Sequence, residues 1–260
     1  MFDWLHSLPI VWLVLVVCTA TALITLAIFL IATRLADAGH RDAMAALSPG
    51  MLPPMSLVFG LLVGFLAAGV WSNTSDAQKA VNEEASALRS VDLLDRDFPA
   101  SDQQRLDQLI RSYIEEAVHQ EWPAMAKQNA TLTAAPPQMA DALQTALALP
   151  ADDPGRVVAQ REIVTSLESA LDARRQRIII SASTVNAAKW AGVIGLGILT
   201  LIAIACVHCA NRRTLAVALT LFASAMVVSL LMIGVQDRPF AGPYHVKPTP
   251  LIQVEPQPAA

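Results

Sequence analysis

Charge, cysteine and aromatic side chains are all scarce in this chain of 260 residues. Only 15% of residues are Asp, Glu, Lys or Arg, and whole stretches carry none. That excludes a uniformly solvated globular surface and places the chain in the membrane class. Three cysteines are too few for a disulfide framework. Cys18 falls in an apolar run and reads as a packing residue. Cys206, His208 and Cys209 form Cys-Val-His-Cys, but zinc wants four ligands and no second such pair exists, so neither metal nor cofactor is expected. The charge that is present is acidic in balance. Residues 73–184 hold 17 Asp or Glu against 11 Lys or Arg, which gives no basic footprint for nucleic acid. Enzyme motifs are missing too: there is no HExxH, no GxSxG, no phosphate loop and no dinucleotide fingerprint. No catalytic residue is assigned, and the chain reads as something other than an enzyme.

Four apolar runs are what the sequence does contain: Ile10 to Ala32, Leu52 to Trp71, Trp190 to Cys209 and Thr214 to Val235. Each meets the roughly 20 residues a helix needs to cross the hydrocarbon core. The first holds fourteen Ile, Leu, Val or Phe residues. At roughly −0.3 to −0.6 kcal/mol each, they favour insertion by several kcal/mol. Met1 to Pro9 carries no Lys or Arg, so this run reads as an anchor and not as a cleaved signal peptide. The predicted architecture is an all-α integral membrane protein with four transmembrane helices in two hairpins. Its segments are 1–9 (N-terminal), 10–72 (first hairpin), 73–184 (helical extramembrane subdomain), 185–235 (second hairpin) and 236–260 (an extended Pro-rich tail).

Inside the subdomain, Val81, Ala85, Leu88, Val91 and Leu94 recur at helical spacing, continuing the second span to Phe98. Ser101 with Gln104 predicts a capping-box start to a helix whose stripe is Leu106, Leu109, Ile110, Tyr113 and Ala117. Pro123 predicts a kink or stop. Pro136-Pro137 opens a short helix. Asp153 with Pro154 predicts the cap of a long helix, with Val157, Val164, Leu167 and Leu171 inward, running on towards the third span. Glu115, Glu116, His119 and Glu121 read as a solvated face.

Four crossings put the N-terminus, the subdomain and the C-terminus on one side of what is expected to be the cell (inner) membrane. The Arg34–Arg41 connection and Arg212-Arg213 favour the hairpins inside. Arg174, Arg175, Arg177 and Lys189 favour the reverse, so charge assigns no side. Gly60, Gly64 and Gly69 suit close helix packing, within the chain or in an oligomer. Thr21 with Thr25, and Thr220 with Ser224, sit one turn apart; they could line a polar path, but hydrogen bonds to their own helix or to a neighbour are the favoured reading. No Asp, Glu, Lys or Arg lies within a span, which counts against a proton-coupled transporter.

Several short motifs together resemble the bestrophin-like family of membrane proteins. They are Ser48-Pro-Gly-Met-Leu-Pro-Pro, Trp71-Ser-Asn, Glu83-Glu-Ala-Ser-Ala-Leu-Arg, Tyr113-Ile-Glu-Glu, Glu121-Trp-Pro and Asp237-Arg-Pro-Phe-Ala-Gly. More distantly, four spans, the long helical insertion and Leu61-Leu-Val-Gly-Phe resemble bestrophins, which are pentameric anion channels with an apolar neck on the second span. The resemblance implies a homo-oligomer in a lipid bilayer, a pentamer by analogy, passing small anions. Carried over, the neck falls on Leu57, Leu61 and Phe65. Independently of the resemblance, Arg174, Arg175 and Arg177 near the membrane would ring a vestibule in an oligomer or meet the membrane surface at lipid head groups. The basic-aromatic pair that follows the Gly-Phe in bestrophins is absent, and so is the acidic calcium cluster, so calcium gating is not implied. The competing reading is a non-conducting scaffold or sensor whose helical subdomain binds a partner.

Overall fold

The computed structural model describes residues 10–45, 49–132, 135–242 and 244–256. The N-terminal segment 1–9, Ser48 and the last four residues of the tail lie outside them. No strand occurs among the described residues. The chain divides into two compact units, one of residues 1–71 with 184–237, the other of residues 72–183 with 238–260.

The first unit contains the membrane spans. Helix α1 (Ile10–Leu35) ends in a π-helical turn, Ala36–His40, where Gly39 takes φ 89°. That left-handed backbone is open to glycine at little cost. It turns the chain into α2 (Arg41–Ala45). Helix α3 (Leu52–Leu94) begins here, and α8 (Ala187–Val207) and α9 (Arg212–Gln236) form the second hairpin. Asn186 caps α8 by accepting from Ala188 N–H, and Asn211 caps α9 by accepting from Arg213 N–H. The core consists of Phe59, Leu66 and Val70 of α3, Val193 and Leu201 of α8, and Leu215, Leu219, Met226 and Ile233 of α9. At Gly197 a Cβ would lie 2.7 Å from Met226 Sδ and 3.3 Å from Phe59 Cε2, so glycine is what lets these side chains close over α8. Elsewhere the spans present apolar residues outward, among them Leu23, Leu26, Leu199, Leu221 and Val228. A soluble protein would not tolerate so large a bare surface. Lipid covers it.

Helix α3 has 43 residues, about 64 Å at 1.5 Å per residue. The hydrocarbon core accounts for about 30 Å, so its second half stands outside the membrane and belongs to the second unit. There it ends in a 3-10 turn, Asp95–Asp97. Helix α4 (Ala100–Glu116) follows, then a π-helical turn (Ala117–Glu121), α5 (Trp122–Ala126), α6 (Pro137–Leu147) and α7 (Pro154–Ser181). Val81, Leu88, Leu106, Ile110, Met139, Ile163 and Leu167 are fully buried together.

Three local expectations change. The predicted cap on Ser101 is not used: Pro99 takes the N-cap position, and its carbonyl accepts from Asp102 and Gln103 N–H, so Ser101 already lies inside α4. Helix α7 does not run on into the third span, because residues 183–186 leave the helix before α8 begins. Val157 is exposed, and the inner stripe of α7 is Ala159, Ile163, Leu167, Ala170, Arg174 and Arg177. The cap at Asp153 forms as expected, with Oδ1 accepting from Gly155 N–H at 2.8 Å and Arg156 N–H at 3.0 Å.

The tail is only partly extended. Thr249–Gln253 forms a short helix, α10, opened by Pro248 and Pro250. Phe240, Val246 and Leu251 enter the core of the second unit. Trp122 Nε1 donates to the Val246 carbonyl at 3.0 Å, and Arg111 donates twice to that of Pro256. These bonds replace the ladder partners that a Pro-rich segment cannot supply itself.

Candidate functional site

Two constellations stand out, one on each half of α3. On the membrane half, Leu57, Leu61 and Phe65 are 64%, 51% and 73% exposed, although all three are large and apolar. Each residue advances about 100° around a helix. Residues four apart therefore share a face, and this stripe lies opposite the buried Phe59, Leu66 and Val70. A Cβ added at Gly60, Gly64 or Gly69 would meet nothing within 4 Å. Among the described residues nothing packs on these glycines, and the stripe beside them stays largely bare.

On the outer half, Glu84 lies one turn from both Val81 and Leu88 and is as buried as they are. Its carboxylate accepts from Arg177 twice, Nε to Oε2 at 2.7 Å and Nη2 to Oε1 at 3.0 Å. Tyr113 O–H donates to the same Oε1. Arg177 Nη2 also donates to Glu121 Oε2 at 2.9 Å, and Arg174 Nε to Glu121 Oε1 at 2.8 Å. The Arg177 guanidinium stacks 4.5 Å from the centroid of the Trp122 ring, a cation–π contact that suits a desolvated charge. Two carboxylates and two guanidiniums balance, as buried charge requires. Burial, and then the charge of Glu84, pushes the Tyr113 hydroxyl well above its ordinary pKa, so it remains a donor. For Arg177 burial works against the charged form, but Glu84, Tyr113 and Glu121 outweigh it and the group is held cationic.

Pro123 makes this geometry. It has no N–H to bond the carbonyl one turn back. The chain answers with a π turn, in which Trp122 N–H reaches the Ala117 carbonyl. One extra residue is accommodated there, and Glu121 and Trp122 both come to Arg177.

The sequence expected Arg174, Arg175 and Arg177 at a vestibule or membrane surface. Arg175 alone is exposed, paired with Asp172 at 2.7 Å. Arg174 and Arg177 are buried because carboxylates inside the unit neutralise them. Glu121, expected on a solvated face, is one of those carboxylates, and the spacing marks neither Glu84 nor Tyr113 as a polar partner. The signal was present in the register 163, 167, 170, 174 and 177, an apolar stripe that ends in two arginines.

Thr21, Thr25, Thr220 and Ser224 line one groove of about 580 Å³ between α1 and α9, with Thr25 Oγ1 donating to the Thr21 carbonyl of its own helix. Cys209 is buried against the Arg41 carbonyl, and His208 Nδ1 lies 3.0 Å from that of Ile204. Among the described residues no three His, Cys, Asp or Glu side chains converge as metal ligands.

A bacterial bestrophin homologue from Klebsiella pneumoniae, in a singly substituted form, has the same fold. Identity is 10%, the TM-score is 0.70, and the alignment covers 92% of this chain and 96% of that one. A second substituted form aligns at 11% identity and TM-score 0.68, covering 90% and 95%. A substituted membrane protein of solved structure aligns at 13% and 0.62, covering 90% and 94%. No curated protein matches the sequence. The family model for the bestrophin-like domain matches residues 8–251. Four membrane-spanning helices, a helical insertion after the second and that match together make this chain a member of the bestrophin-like family.

Proposed function

We propose that the protein is one subunit of an oligomeric channel for small anions, a pentamer by analogy, with Leu57, Leu61 and Phe65 of each copy forming an apolar neck. The bare stripe on the membrane half of α3 carries this reading. Three large apolar residues on one face, flanked by open glycines, are suited to meeting their counterparts around a common axis. Rings of such residues gate by dewetting. Gly60, Gly64 and Gly69 would allow neighbouring copies to approach closely. The protein resides in the inner membrane in this reading, with both termini and the helical unit on one side, and it carries out no catalysis. Of the three arginines only Arg175 is exposed, and it too has a carboxylate partner, Asp172, so none of the three offers an uncompensated charge to draw anions towards the pore.

The test is anion flux into liposomes containing purified protein. Wild type conducts slowly, and the Leu61→Ala/Phe65→Ala double variant conducts faster because a wider, less apolar neck wets more readily. Absence of flux from both defeats the proposal.

A non-conducting scaffold is the second reading, favoured by the exposed Leu147, Val157 and Val158 of the helical unit. The mass of the detergent-solubilised particle separates the two. A pore of this kind requires several copies, whereas a scaffold holding a partner can be a single chain.

A further inference from the structure

The corner where α3 passes into α4 buries a carboxylate that no cation meets. Asp95 opens the 3-10 turn and is inaccessible to solvent, and among the described residues neither of its carboxylate oxygens has a hydrogen-bond partner. Asp107 Oδ1, on α4, is buried without one as well. Helices α4 and α7 both pack on this turn, and three arginines that they and the turn supply, Arg96, Arg111 and Arg156, are committed elsewhere. Arg96 donates to the Asp92 carbonyl at 3.2 Å and to Asp92 Oδ2 at 3.5 Å. Arg111 of α4 gives both its bonds to the Pro256 carbonyl, at 3.0 and 2.7 Å. Arg156 of α7 binds Asp152 Oδ1 at 2.8 Å and the Asp97 carbonyl at 3.1 Å. Arg89 and Glu255 line a polar cavity with Asp92 and Asp107, and Asp95 is not among its lining residues. The charged groups felt by Asp95 are the acids Asp107 and Asp92, opposed only by Arg96. The turn also sits at the C-terminal end of α3, where the helix dipole disfavours an anion.

We propose that Asp95 is a proton-operated latch: with its proton the neutral carboxyl keeps the α3–α4 corner closed, and without it the corner opens to let water reach the charge. Burial first, then the charges of Asp107 and Asp92, lift its pKa from 3.8 to about 7, with Arg96 opposing. Switching therefore falls in the neutral range. A charge left unpaired inside the unit would be costly, and the cheapest relief is local opening of the turn. The latch is independent of whether the protein conducts.

Hydrogen exchange on the full-length protein in detergent tests it. After correction for intrinsic rates, exchange of the backbone amides from 92 to 103 is compared from about pH 5 to about pH 9. In the wild type the corrected exchange rises as pH passes about 7, whereas Asp95→Asn stays at the closed level throughout. A parallel rise in both proteins, or no rise in the wild type, overturns the proposal. If the variant fails to fold, infrared spectroscopy of wild-type protein with isotope-labelled aspartate decides. The latch requires a protonated-carboxyl band at about pH 5 that disappears above about 7, and absence of that band overturns it.

Discussion

Arg177 and Glu84 meet inside the helical unit as a two-pronged pair, Nε to Oε2 at 2.7 Å and Nη2 to Oε1 at 3.0 Å, with neither side chain reachable by solvent. Planar guanidinium and planar carboxylate match edge to edge, which a lysine could not reproduce. The pair lies where α3, α4, α5 and α7 converge, so its integrity decides whether four helices share a core.

Replacing Glu84 by Ala leaves Arg177 buried with half its compensation. Such a change is expected to destabilise the unit by about 3–5 kcal/mol, read as a lowered denaturation midpoint in detergent. Arg175→Ala, which removes an exposed pair, should cost less than about 1 kcal/mol.

Tyr113→Phe deletes one donor to Glu84 and nothing else of comparable size. A bond to a charged acceptor is worth about 1.5–3 kcal/mol, so a loss in that range is expected from the same denaturation series. The loss should shrink sharply in a Glu84→Ala background, because the two residues share one interaction.

Among the glycines of the spans, Gly197 and Gly64 should behave oppositely. A methyl at Gly197 collides with Met226 and Phe59 and should cost about 1–3 kcal/mol of stability. A methyl at Gly64 meets nothing in its own chain, so Gly64→Ala should leave the denaturation midpoint unchanged. If α3 faces a second copy there, particle mass measured by light scattering falls in Gly64→Ala while the midpoint holds.

Trp122→Phe keeps the ring stacked on Arg177 but loses the bond from Nε1 to the Val246 carbonyl. About 1 kcal/mol of local stability should go with it. Limited proteolysis should then cut within residues 244–256 faster than in the wild type.

Asp107→Asn removes the largest charge acting against ionisation of Asp95. Asp95 binds its proton more tightly folded than unfolded, so its contribution to stability is complete below 3.8 and is lost as pH rises towards about 7. With Asp107 neutral the folded pKa drops. The loss should then be complete at a lower pH, visible as a shifted midpoint in stability measured against pH.

The spans and the main helices of the outer unit were legible because each rests on a local pattern. An uncharged run of twenty residues, a proline pair or an Asp-Pro start specifies its element without reference to anything distant. The charge network was not legible because its members are 93 and 56 residues apart along the chain, and periodicity reports a face but not what lies across from it. Glu84 occupied a position that the spacing of Val81 and Leu88 assigns to the core, yet its charge argued for solvent. Arg177 resolves the conflict, and only the folded chain brings Arg177 there. The break between α7 and α8 is illegible for a related reason: Ser181 to Asn186 contains neither proline nor glycine, and its ending is set by the cap at Asn186 and by Val185 N–H donating to Asp237 Oδ1 at 2.7 Å.

The π turn at Ala117–Glu121 makes the winding of the backbone, and not only residue identity, a constraint on this part of the molecule. Winding the same residues as a regular α-helix would swing everything downstream by about 100°, carrying the indole away from its guanidinium partner. Exchanges that leave the wide turn intact should therefore be tolerated far more readily than one that lets a regular helix run through it.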